Sequence, residues 1–167
     1  MDRPNICFID LSYHEKTGST RFIVDLLRER FNVSIFYDCS WVGGACPDFE
    51  AINSRNFEVI VFFQVDPRDH AAKLSCRNIV YFPMYDSFGL SNPGKEYDMR
   101  DVYFVNFSKT SHDSISKVHG RSIYAKYFPN PEPFAKYSSG GKGLFYWKRT
   151  DFLSWQLVKT IVGEQVE

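Results

Sequence analysis

Phe57-Glu-Val-Ile-Val-Phe-Phe-Gln-Val65 decides how this chain folds. It contains the longest unbroken apolar run in the sequence, Val59–Phe63. Apolar residues at consecutive positions, not alternate ones, suit a strand buried on both faces, as in a parallel sheet with helices on either side. Asp66-Pro67 stops the run. At five residues it is far below the ~20 needed to span a bilayer.

Working outward, the same strand character recurs at regular intervals. Asn5–Leu11 (NICFIDL) is a short apolar run that breaks at Ser12. A polar connection follows over residues 13–20. Residues 19–30 then carry Phe22, Ile23, Leu26 and Leu27 at helical spacing, with Ser19 or Thr17 placed to cap the helix. Residues 32–37 (NVSIFY) are the next strand, and strand, helix and strand within about 33 residues make a βαβ unit. Residues 38–47 form a loop with Trp41 and Gly43-Gly44, and residues 49–56 a short helix. Beyond the central strand the pattern predicts a helix at 68–76, a strand at 78–82 and a loop at 87–94. A strand at 102–107, a helix at 110–118 and a strand at 122–128 follow.

Residues 1–128 therefore read as a Rossmann-like α/β domain with a doubly wound, mostly parallel sheet of about six strands. Residues 129–142, opening Pro129-Asn-Pro-Glu-Pro133 and then rich in Ser and Gly, read as a linker. Residues 143–167 are one further βα unit, with a strand at 144–147 and an amphipathic helix at 151–162. A single βα unit cannot bury its own faces. It is expected to open a second domain or to dock on the first.

Composition narrows the function classes. The chain has 167 residues, with 20 Lys+Arg against 20 Asp+Glu. A balanced charge gives no basic excess for nucleic acid. No apolar stretch of signal-peptide length opens the chain, so a cytoplasmic location is expected. Cys7, Cys39, Cys46 and Cys76 are scattered, and the Cys39–Cys46 gap is too wide for the usual metal knuckle. Four reduced thiols and no metal are expected. Residues 101–167 carry nine Lys+Arg and six Asp+Glu. That small excess suits a solvated face, or contact with an anionic membrane surface at the inner face.

In an open parallel sheet the ligand crevice lies beyond the carboxyl ends of the strands. Those ends carry Asp10-Leu-Ser12, Tyr37-Asp38, Gln64-Val-Asp66, Met84-Tyr-Asp86 and Asn106-Phe-Ser-Lys109. Each such residue is also an ordinary turn former or cap. Gly18-Ser19-Thr20 opens the first helix, where an anion or hydroxyl contact can form. Neither Gly-x-Gly-x-x-Gly nor a P-loop is present, so a dinucleotide site is not expected. His14, in the first connection, is a candidate general base. Asp86 is the favoured carboxylate for base or hydroxyl-orienting work. Trp41 and Tyr85 can stack on the apolar C–H face of a sugar, and Ser108 and Lys109 line the same edge. The other aromatic stretches, at Phe62-Phe63, Phe104, Phe107, Tyr124, Tyr127 and Phe128, read as core.

The order of these segments is recognisable: the His14 to Thr20 loop, Met84-Tyr-Asp86, Phe107-Ser-Lys-Thr-Ser111, Phe128-Pro-Asn130 and Tyr146-Trp-Lys-Arg149. It resembles the N-terminal domain of a GT-B glycosyltransferase, and the resemblance covers nearly the whole chain. It implies a domain that binds a glycan or lipid-linked acceptor and supplies the catalytic base. It also implies a nucleotide-sugar as co-substrate, no other cofactor, and a role in glycan or cell-surface polysaccharide assembly. Asp86 resembles the acid of the family's His-Asp pair after the fourth strand, where Tyr85 replaces the His. Gly18 and its neighbours resemble the loop facing the donor phosphates. The acidic donor motif belongs to a second, C-terminal domain that this sequence lacks, so the chain is expected to fold without turnover alone.

Two other readings stand beside it. One is a receiver-like or flavodoxin-like binding domain, for which Asp10 and Lys109 are suitably placed but Gln64 stands where the phosphorylated Asp belongs. The other is a non-catalytic partner subunit, completed by a second polypeptide or a homodimer over the 151–162 helix.

Overall fold

The computed structural model describes residues 3–68, 70–84 and 101–126. These lie in the first of two compact units, Met1–Pro129 and Asn130–Glu167. The proposed linker at 129–142, the unit at 143–167, and Tyr85 and Asp86 lie outside the described residues.

Six strands form one sheet: β1 (Asn5–Leu11), β2 (Asn32–Asp38), β3 (Val59–Phe63), β4 (Ile79–Phe82), β5 (Val102–Asn106) and β6 (Ser122–Tyr124). The order is β2-β1-β3-β4-β5-β6 and every neighbouring pair is parallel. The α/β Rossmann-like class expected above is present, and the sheet is wholly parallel. Among the described residues, four helices join the strands: α1 (Tyr13–Thr17), α2 (Arg21–Arg28), α3 (Phe49–Ser54) and α4 (Lys109–Ile115).

Crossover handedness explains which face each helix covers. A parallel crossover is right-handed in nearly all proteins. The step from β1 to β2 runs one way along the sheet, and every later step runs the other. α2 must therefore lie on one face and α3 and α4 on the opposite face. The core divides accordingly. Phe8, Val61, Phe63 and Phe82 pack with Ile23 and Val24 of α2. Cys7, Ile9, Ile60, Phe62, Tyr81 and Phe104 pack with Ile52 of α3 and Ile115 of α4. Adjacent residues of β1 and β3 enter opposite clusters, as the two-residue strand repeat requires.

Several boundaries depart from the sequence-based expectation. β3 stops at Phe63, not Val65, because Gln64 adopts φ +61° and leaves the extended region. Among the described residues of 68–76 there is a 3-10 turn at Ala71–Lys73 and no α-helix. The Asn53 side chain donates to Lys73 O at 2.8 Å and accepts from Ser75 N at 2.9 Å. These bonds hold the connection tight and extended. Residues 13–20 contain a helix of their own, and Tyr124 is 40% exposed, so it is not core.

Cys7 is completely buried in the middle of β1, and all four cysteines are free thiols. Burial pushes the Cys7 thiol up to about 12 from 9.0, with a smaller opposing pull from Arg55. The folded thiol thus holds its proton while the unfolded one loses it. Stability carried at Cys7 is intact below pH 9 and declines as pH rises through 12. A pH series of urea unfolding should show an alkaline loss on the order of a few kcal/mol that is smaller in Cys7→Ala. Iodoacetamide at pH 8 should label exposed Cys46 and spare Cys7 in the native protein.

Candidate functional site

β1 has β2 on one side and β3 on the other, and the chain leaves it in both directions. This is the topological switch point, where the carboxyl strand ends of an open α/β sheet leave a crevice. Asp10 stands at that point, level with Tyr37 of β2 and Phe63 of β3. Its residue is 1% exposed. A carboxylate so deeply buried must be met by donors.

Three donors meet it. His14 Nδ1 lies 2.5 Å from Oδ1, Leu11 N–H donates to the same oxygen at 2.9 Å, and Thr20 Oγ1 donates to Oδ2 at 2.6 Å. Burial pushes the Asp10 carboxyl above the usual carboxylate range. The hydrogen bonds from Thr20 and His14 pull it down without cancelling that effect. One side chain thus fastens α1, through His14, and the start of α2, through Thr20, onto the end of β1.

The local backbone follows from this. α1 ends at Gly18, whose φ of +65° is the left-handed region that a side chain resists, and whose N–H donates to His14 O at 2.8 Å. The chain then turns into α2 at Thr20. The expected single helix over 19–30 is therefore replaced by α1, a glycine turn and α2. The expected cap by Ser19 or Thr17 is also corrected. Thr20 is the N-cap, and its hydroxyl is turned inward to Asp10. Ser19 and Thr17 pair with each other through their hydroxyls at 3.0 Å. In Gly18-Ser19-Thr20, then, Ser19 stays at the surface and Thr20 belongs to the buried network.

His14 is also not the open loop residue its position suggested. It sits in α1 and is 3% exposed. Its ring lies against Tyr13, centroids 4.0 Å apart, and meets Phe63 edge-on at 5.9 Å. With Nδ1 donating to Asp10, a neutral imidazole keeps its lone pair on Nε2. Such a ring can take a proton at Nε2 while Asp10 stabilises the cation formed.

Around this network lies a polar and aromatic rim. Tyr13 Oη donates to Gln64 Oε1 at 3.2 Å, bridging the ends of β1 and β3. Trp41 meets Tyr13 at 5.5 Å with the rings 72° apart, and its Nε1–H donates to Ser12 Oγ at 3.3 Å. Trp41 is carried by a 3-10 turn at Ser40–Val42. The buried Asp38 carboxylate anchors that turn by accepting Ser40 N–H at 2.8 Å. At Gly44 the chain passes so close that a Cβ would sit 2.7 Å from Cys39 Cβ.

Gln64 was placed on this edge from the sequence, but its left-handed backbone, φ +61°, and its bond to Tyr13 were not foreseen. A left-handed glutamine is uncommon and costs roughly 1–2 kcal/mol. Such strain tends to gather at functional sites. Nothing in the local sequence marks it, because Gln is not a residue that favours this region.

Ser108 and Lys109 lie elsewhere. β5 is three strands from β1, roughly 14 Å at ordinary strand spacing. Ser108 caps α4, accepting Ser111 N–H at 3.4 Å. Lys109 is the first residue of α4, not the end of a strand, and pairs with Asp113 at 2.6 Å. Exposed pairs of this kind contribute little. Near them, Asn106 Oδ1 and Ser111 Oγ are buried with no hydrogen-bond partner among the described residues. Among the described residues, no group of three His, Cys, Asp or Glu is arranged to hold a metal ion.

The network predicts a graded stability series in urea unfolding. Asp10→Ala, which strands His14 and Thr20, should cost about 3 kcal/mol, and Thr20→Val about 1–2 kcal/mol. Gly18→Ala should cost about 1 kcal/mol. Gln64→Gly should be more stable than Gln64→Ala by about 1 kcal/mol, because only glycine relieves the left-handed strain.

No family model, curated protein or solved structure matches this chain.

Proposed function

We propose that this chain is the acceptor-side domain of a glycosyltransferase that uses a nucleotide-sugar donor. Its base is His14, held by Asp10. The observation that supports this is the Asp10–His14 pair at the switch point of the sheet. That is where the crevice of an α/β domain receives its ligand.

In this reading His14 Nε2 takes the proton from an acceptor hydroxyl. The freed oxygen attacks the anomeric carbon as the nucleoside diphosphate departs. Asp10 holds the imidazole in one tautomer and stabilises the imidazolium. No covalent protein intermediate is needed. The proposal moves the base from Asp86, favoured on the sequence resemblance, to His14. The acceptor is a glycan or lipid-linked hydroxyl, with the donor held by a second domain. The proposed setting is polysaccharide assembly in the cytoplasm or at the inner membrane face. Among the described residues, no helix is long and apolar enough to cross a membrane.

A second reading is favoured by one specific observation. The strand order 2-1-3-4-5 is that of flavodoxin-like binding domains, whereas the dinucleotide-binding order is 3-2-1-4-5-6. The phosphoacceptor version of this reading is disfavoured. Gln64 follows β3 where an acid is required, and Asp10 is already bonded on both oxygens.

The test is a transfer assay in which this chain is joined to a donor-binding domain and supplied with a nucleotide-sugar panel. His14→Gln should lower kcat by about two to four orders of magnitude while the protein remains folded. Unchanged kcat would contradict the proposal. Binding of flavin mononucleotide at micromolar concentration, with no nucleotide-sugar turnover, would favour the flavodoxin-like reading.

A further inference from the structure

We infer that Trp41, Tyr13 and Gln64 form a saccharide-stacking subsite, so that the acceptor of the proposed transfer is itself a sugar. The inference rests on the reading above and narrows its substrate class.

Three observations carry it. First, Trp41 is 53% exposed and Tyr13 38% exposed, yet neither ring is loose. The indole is fixed by its Nε1–H to Ser12 and by its edge contact with Tyr13, and the phenol by its bond to Gln64. The exposed Trp41 indole, its rotamer already held, loses little entropy on binding. Second, Gln64 is kept in a strained backbone conformation that presents its amide at the switch point. Its Oε1 accepts from Tyr13, and its Nε2 has no acceptor among the described residues. That amide nitrogen can donate to a ligand hydroxyl. Third, Ser12, Tyr13, Trp41 and Gln64 are all uncharged. The corner therefore suits a neutral ligand, whereas a phosphate would call for a cation.

Geometry separates a sugar from the other ring that stacks on aromatics. A flat nucleobase is held best by stacking on a ring face. Here the two rings stand 72° apart and make a corner. A pyranose ring, puckered and bearing C–H groups on more than one side, suits a corner, and the Gln64 amide beside Tyr13 offers its hydroxyls a donor.

The experiment uses the full chain with 15N-labelled tryptophan. The sequence has three Trp, so three indole N–H signals are expected. The signal lost in Trp41→Phe assigns Trp41. The probes are the methyl pyranosides of glucose, galactose, mannose and N-acetylglucosamine, their β-linked disaccharides, and uridine monophosphate as the flat-ring comparison. At least one saccharide should shift the Trp41 signal saturably. Trp41→Ala should weaken that binding about tenfold or more and Gln64→Ala about three- to tenfold, with unchanged unfolding midpoints for Trp41→Ala. A Trp41 signal unmoved by every saccharide overturns the inference, as does a signal moved by uridine monophosphate alone. The outcome is independent of catalysis. Saccharide binding with no sugar transfer in the joined protein leaves the subsite standing and removes the enzyme reading. Transfer to a non-sugar alcohol, with no saccharide binding, does the reverse.

Discussion

A buried carboxylate organises the functional edge of this domain. Asp10 sits at the end of β1 with almost no exposure, and its two oxygens accept from His14, Leu11 and Thr20. Leaving such a group unpaired would cost more than a marginally stable domain can spare. The chain after β1 is therefore drawn back onto it twice, first by α1 and then by the start of α2. Tyr13, next to His14, is carried to the mouth of the crevice by the same fold-back. The rim of Trp41 and Gln64 is built against that Tyr13.

The sheet makes this arrangement useful. With β2 and β3 on either side of β1, the connections that leave β1 and β3 diverge. Right-handed crossovers then place α2 on one face and α3 and α4 on the other. At the strand ends stand Tyr13 after β1, Trp41 after β2 and Gln64 after β3. Ser108 and Lys109, further along the edge, are taken up by capping and pairing within α4.

The sheet was legible in the sequence because burial on both faces leaves a local mark. The apolar runs in β1 and β3 and the shorter ones in β4 and β5 are visible without any partner. The connections were less legible because distant contacts decide them. A helical period correctly marked residues 21–28, but the break at Gly18–Thr20 depends on Asp10 capturing two side chains. The helix expected over 68–76 gave way to a 3-10 turn because the Asn53 amide pins its backbone from another element. His14 was identifiable from its place after β1. The acid four residues earlier, Asp10, was the available signal for its partner. Gln64 was legible as an edge residue, but its left-handed backbone was not, because glutamine carries no local preference for that region. Tyr85, Asp86 and residues 129–167 lie outside the described residues.

The central claim is that Asp10 holds His14 with its proton on Nδ1 and its lone pair on Nε2. Long-range 1H–15N correlation NMR of the His14 ring reads this directly. Above the pH at which the ring is protonated, the account predicts a pyrrole-type Nδ1 and a pyridine-type Nε2, with that preference lost in Asp10→Ala. A His14 ring protonated on Nε2 in the wild-type chain would contradict it.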